Sequence, residues 1–125
     1  MKKINSLLLT AVVILSGFLV TSCKKDSTEA TMIVRNWNLE SKTLVGVNVA
    51  TNCENNSKWN FKSDGTFAIY DSCDNTQSGT WKLADDAKTL TLNDITVYQV
   101  IDISLGKLVI EMQVGGIGLI RWSFN

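Results

Sequence analysis

The chain has 125 residues, with 12 Lys and Arg against 12 Asp and Glu, no histidine, no proline and a sequence pI near 6.2. Charges this evenly mixed exclude the basic stripe of a nucleic-acid binder. The lack of histidine excludes a histidine-dependent triad and a histidine-ligated metal, and three widely spaced cysteines make a poor metal site, so neither a metal nor a cofactor is expected.

Met1-Lys2-Lys3 is a short basic head, followed by an apolar stretch over residues 7–20. That stretch falls short of the roughly 20 apolar residues a bilayer span requires. It is broken by Thr10, Ser16 and Gly17 and ends in Val20-Thr21-Ser22 before Cys23, so residues 1–22 read as a cleaved export signal. A cysteine directly after small residues resembles the lipobox of bacterial lipoproteins, in which the thiol is acylated and cleavage leaves that cysteine first. The alternative is an ordinary signal with an incidental cysteine. The resemblance implies that Cys23 carries several palmitate-type chains; at about 0.8 kcal/mol per buried methylene, two or more anchor stably. The expected location is the cell envelope, lipid-anchored at the outer membrane. Lys24, Lys25 and Asp26 leave periplasmic face and cell surface both open.

Removing residues 1–22 leaves 103 residues, room for one domain, with ten basic and twelve acidic side chains. With Cys23 assigned to lipid, Cys53 and Cys73 remain as a pair in an oxidising compartment. A disulfide closing such a loop adds about 3 kcal/mol to a small domain; two free thiols are the alternative. Residues 24–31 are polar, small or charged and read as a flexible tether, reaching about 25 Å when extended. Residues 23–32 thus form anchor and tether. Asp26-Ser27-Thr28 resembles a short O-glycosylation pattern of exported bacterial proteins.

From Ile33 onward apolar and polar residues alternate with period two, broken by Gly, Asp, Asn and Ser. Residues 33–39 and 44–49 give two strands around Gly46. Residues 58–62 and 66–70 form a hairpin about Asp64-Gly65, with Trp59, Phe61, Phe67 and Ile69 on one face. Residues 79–83 and 89–92 follow, joined at 85–88, with Trp81, Leu83, Leu90 and Leu92 on one side. In residues 95–103 both faces are partly apolar and the inward one is undecided; a bulge near Asp102 would reconcile them. Residues 108–112 and 119–124 complete the set, separated by Gly115-Gly116. Nearly every gap is about two to five residues, which favours an up-and-down meander over a Greek-key sandwich with its long crossovers. The expectation is an all-β, antiparallel up-and-down barrel of about eight strands over residues 33–125. The longest irregular stretches, 50–57 and 72–78, each hold one cysteine of the pair, which ties them at one end.

The order and spacing of Trp37, Cys53, Phe61-Lys62-Ser63-Asp64-Gly65-Thr66, Cys73, Gly79-Thr80-Trp81, Lys88-Thr89-Leu90 and Lys107-Leu108-Val109 resemble the lipocalin-like domains of small Gram-negative lipoproteins. The resemblance runs over residues 33–122. It departs where lipocalins open with Gly-x-Trp, because Arg35 stands at the glycine position. Lipocalins also set a late arginine over that tryptophan, for which Arg121 is the candidate; such a contact contributes about 0.5–2 kcal/mol. The other reading of Arg121 is a solvated strand charge.

The resemblance implies a pocket for a small apolar ligand, with Trp59, Phe61, Phe67, Ile69, Trp81 and Tyr98 as candidate lining. The same geometry can be filled by side chains, and short strands carrying bulky aromatics, Trp122 among them, favour the filled interior. The second function class is a solid barrel acting as a structural or protein-interaction module in the envelope. Its contact surface would be Leu44, Val45 and Val47, or Gly115-Gly116-Ile117-Gly118. Catalysis is not expected: the one conceivable acid pair is Asp102 with Glu111, and charges beside apolar strand residues ordinarily face water.

Overall fold

The computed structural model describes residues 28–125. The export signal, Cys23, Lys24-Lys25 and Asp26-Ser27 lie outside the described residues. The first element is one helical turn, α1 (Thr28–Met32), at the end of the expected tether. Ile33 N–H donates to Glu29 O at 3.0 Å, and α1 packs against the seventh strand. Ile33 behind it is fully buried, so docking fixes a turn that five residues could not hold alone.

Nine strands follow: β1 (Asn36–Leu44), β2 (Val47–Asn48), β3 (Lys58–Phe61), β4 (Thr66–Tyr70), β5 (Thr76–Leu83), β6 (Thr89–Leu92), β7 (Thr96–Ser104), β8 (Lys107–Val114) and β9 (Gly118–Phe124). All pairings are antiparallel between chain neighbours, except that β1 pairs with β3 on one side and β9 on the other. Eight strands thereby close into an up-and-down barrel, with β2 a two-residue flap on β1. The expected fold class is the observed one.

The front of the chain differs from the expected two strands. Residues 33–35 are not strand: Ile33 plugs the barrel end and accepts the Trp37 indole N–H on its carbonyl at 2.9 Å. β1 runs unbroken through residues 40–43 because a register shift between Leu39 and Ser41 absorbs the extra residue. Its turn is Val45-Gly46, with φ of 51° and 82°. β5 begins at Thr76, leaving only 71–75 irregular; the Asp71 carboxylate holds that turn by accepting the Cys73 and Asn75 N–H groups, each at 2.9 Å. In β7 the expected bulge is present, between Val100 and Asp102. It turns Tyr98, Val100 and Ile103 toward the core and leaves Val97 and Ile101 outside.

The barrel has two unlike ends. The closed end carries α1, Ile33 and the β3–β4, β5–β6 and β7–β8 turns, over a core of Trp37, Phe61, Leu90, Leu108, Ile110 and Phe124. The open end carries loop 49–57, turn 71–75, and the turns at Asn93-Asp94 and Gly115-Gly116. A Cys53–Cys73 disulfide joins the first two, with Ser72 N–H donating to Cys53 O at 3.0 Å.

Gly79 fills an inward position where a Cβ would overlap Asn93 Oδ1, the acceptor of the Thr80 N–H at 3.0 Å. Gly79→Ala is expected to destabilise the barrel by about 1–3 kcal/mol through overpacking. In urea unfolding, Asn93→Gly should cost about 1 kcal/mol or less alone, because glycine's ease at the φ of 56° held there partly offsets the lost bond, and the double variant less than the sum.

Candidate functional site

The upper half of the barrel is hollow. A funnel of about 610 Å³ opens between the loops of the open end, within the size range of small-molecule sites. Its apolar wall is Leu39 of β1, Trp59 of β3, Phe67 and Ile69 of β4, Leu92 of β6, Tyr98 of β7 and Trp122 of β9. Tyr98 stands edge-on to both tryptophans, with ring centroids 6.2 Å from Trp59 and 5.2 Å from Trp122. Toward the mouth the lining turns polar, with Lys42, Glu54, Ser57, Asp71, Asn75 and Asn93 among it.

Of the residues expected from sequence, Trp59, Phe67, Ile69 and Tyr98 come together around this funnel. Phe61 and Trp81 do not line it. Each lies one pleat repeat, about 7 Å, nearer the closed end than its inward neighbour. There the two rings meet edge-on at 5.8 Å, and the Trp81 indole donates to Lys62 O at 2.9 Å. They are core. Leu39, Leu92 and Trp122, which lie outside the lining that the family resemblance implies, complete the wall.

Lys42 had no sequence signal at all. Simple alternation from Trp37 and Leu39 would turn residue 42 outward; the register shift before Ser41 reverses the parity and pairs Lys42 with inward Trp122. The ammonium lies 5.7 Å from the Trp122 ring centroid and donates to Glu54 Oε2 at 2.7 Å. Glu54 Oε1 also accepts the Thr51 N–H at 3.1 Å. Burial pushes the Glu54 carboxyl up, but the bonds from Lys42 and Thr51 outweigh it and hold the group below its ordinary value. Burial alone pushes the Tyr98 phenol up to about 12.

The strand register also places Arg121, Asp102 and Glu111. The cation over the Trp37 ring is Arg35, 4.6 Å from the centroid, and not Arg121. Arg121 sits on the outer face of β9, and its Nε donates to Glu111 Oε2 at 2.6 Å. Glu111 is therefore no partner of Asp102, which pairs with Val109 two positions further along the ladder. Among the described residues no three His, Cys, Asp or Glu gather as metal ligands would. The two apolar segments expected as alternatives meet at one spot: the position of a Gly118 Cβ lies 3.1 Å from Val45 and 3.6 Å from Leu44. Val45 forms one exposed patch beside the mouth with Val47, Ile117 and Leu119, while Leu44 is only half-buried beneath it.

A family model described as a lipocalin-like domain matches residues 33–110. The match runs from the Ile33 plug into β8, so the closing strand β9 lies beyond it. No curated protein matches the chain.

Because the folded-state pKa of Glu54 is lowered, its ion pair stabilises the barrel above the ordinary value of 4.5 and stops doing so as pH falls through the lowered one. At pH 7, Glu54→Gln is expected to cost about 1 kcal/mol or less in thermal unfolding. The gap between variant and parent should close below about pH 4; a gap unchanged from pH 7 to pH 3 would contradict the pairing.

Proposed function

The chain belongs to the lipocalin-like domain family, and on that premise we propose that it is an envelope-anchored binding protein holding a small, largely apolar molecule in the mouth of its barrel. One observation carries this reading: a barrel with enough bulky aromatics to fill itself leaves about 610 Å³ open over Trp59, Tyr98 and Trp122. Binding in place of catalysis is supported by the lack of any histidine. The two buried or half-buried carboxylates with defined partners, Glu54 and Glu111, are each held by a cation.

Anchoring through Cys23 at the outer membrane is supported by the basic head, the apolar stretch and the small residues before that cysteine. Thr28 lies at the closed end, opposite the mouth. Acyl chains five residues earlier would leave the funnel open to ligand.

A second reading has its own support in the patch of Val45, Val47, Ile117 and Leu119. Val45 is 75 % exposed and holds φ at 51°, a left-handed conformation that costs a β-branched residue about 1–2 kcal/mol. An exposed apolar side chain kept at such a position suits contact with an envelope protein. A domain serving only that contact would take up no small molecule.

The full chain carrying Cys23→Ser, titrated with laurate, a sterol and haem while tryptophan emission is followed, should show saturable change with at least one class. Native mass spectrometry checks for retained ligand. Silence with all three and nothing co-purifying would sink the pocket reading. Separately, a palmitate analogue fed to cells should label the parent and not Cys23→Ala, which should leave the membrane fraction.

A further inference from the structure

We propose that the funnel selects an uncharged ligand whose polar end carries hydrogen-bond acceptors and no donors, a ketone, quinone or ester oxygen on a flat apolar body. This rests on the pocket reading and names its ligand class. The argument begins with tryptophan. Trp37 and Trp81, away from the funnel, both give their indole N–H to backbone carbonyls, Ile33 O and Lys62 O. Trp59 and Trp122, which line it, give theirs to no partner among the described residues, though each is more than nine-tenths buried. No buried polar side-chain atom among the described residues is sealed off unpaired, so both N–H groups keep contact with solvent, and both residues line the funnel. The Tyr98 phenol likewise has no hydrogen-bond partner among the described residues. Burial keeps it protonated up to about pH 12, and hence a donor at any working pH.

The strongest acceptors of the lining are by contrast occupied. Glu54 takes Lys42 and Thr51. Asp71 takes the Cys73 and Asn75 N–H groups and the Asn75 side-chain amide. Asn93 Oδ1 takes Thr80. A ligand arriving with donors finds the carboxylates already bonded and only neutral oxygens such as those of Gln77 and Ser78 free, whereas one arriving with acceptors meets the unpaired donors of Trp59, Tyr98 and Trp122.

Charge then separates neutral from anionic acceptors. Among the described residues Lys42 is the one cation lining the funnel and is already neutralised by Glu54 at 2.7 Å, while Asp71 at the rim has no cation paired with it. A carboxylate would be desolvated beside a net negative mouth. The edge-on rings of Trp59, Tyr98 and Trp122 suit a flat apolar body.

A series with one ring system and different heads tests this: naphthalene, 2-acetylnaphthalene, 1-(2-naphthyl)ethylamine and 2-naphthoate. Each is titrated into the ¹⁵N-labelled full chain carrying Cys23→Ser, with the four indole N–H signals assigned through Trp→Phe variants. The ketone should bind about 10-fold tighter than naphthalene, as one or two neutral hydrogen bonds provide, and tighter than the amine or the carboxylate. The Trp59 and Trp122 signals should move, and those of Trp37 and Trp81 should not. Trp59→Phe and Trp122→Phe, which keep a ring but lose the N–H, should each weaken the ketone about 3- to 5-fold and leave naphthalene unchanged. Equal binding of ketone and naphthalene, or tightest binding by the amine or naphthoate, overturns the head-group selection while leaving the cavity occupied. If none of the four binds, this proposal falls, and the laurate, sterol and haem titration decides separately whether the pocket reading falls with it.

Discussion

Everything in this barrel depends on how β1 is shared between the first and last strands of the ring. Asn38 exchanges both backbone hydrogen bonds with Asn125, at 2.9 and 3.0 Å, while the next residue, Leu39, gives its N–H to Ser57 O on the opposite side. One strand thus closes the sheet against β3 with its first half and against β9 with its second. Closure leaves no long unpaired edge. It also imposes a register problem, because the two halves must both keep their apolar side chains inward over a bend. The extra residue at Glu40 answers it, with Trp37 and Leu39 inside before the bulge and Lys42 and Leu44 inside after it.

That single parity change puts a lysine inside the polar mouth, above the aromatic wall of the funnel. An unpaired ammonium there would carry a modest cost, about 1 kcal/mol or less at a partly hydrated rim. Glu54 removes that cost, and Glu54 is presented by a loop whose neighbouring Cys53 is tied to Cys73. The bulge, the ion pair and the disulfide are therefore one arrangement at the rim.

The filled-interior and pocket readings each describe half of the molecule. Toward the closed end, Ile33 enters as a plug and Trp37, Phe61, Leu90 and Phe124 pack to zero or nearly zero exposure. Toward the open end the inward positions shrink to Gly79, Thr96 and Ser57, and the large rings that remain stand edge-on with space above them. Aromatic content alone could not separate these cases, since what matters is the depth at which each ring sits. Phe61 and Phe67 face one another across a hairpin, yet only the second reaches the funnel.

Period-two alternation, Asp-Gly and Gly-Gly turns and short gaps determined the eight-stranded meander, the faces of β3 through β6 and the bulge in β7. Those are local matters, fixed by which residues suit a pleat and which tolerate a turn. Pairing Cys53 with Cys73 followed once Cys23 was set aside. What only the tertiary structure decided is non-local: where β1 bulges, that Arg35 and not Arg121 covers Trp37, that Glu111 takes Arg121 instead of facing Asp102, and that Lys42 points inward. Each depends on the register between strands distant in sequence. A shift of one residue there exchanges inside for outside without changing any local preference.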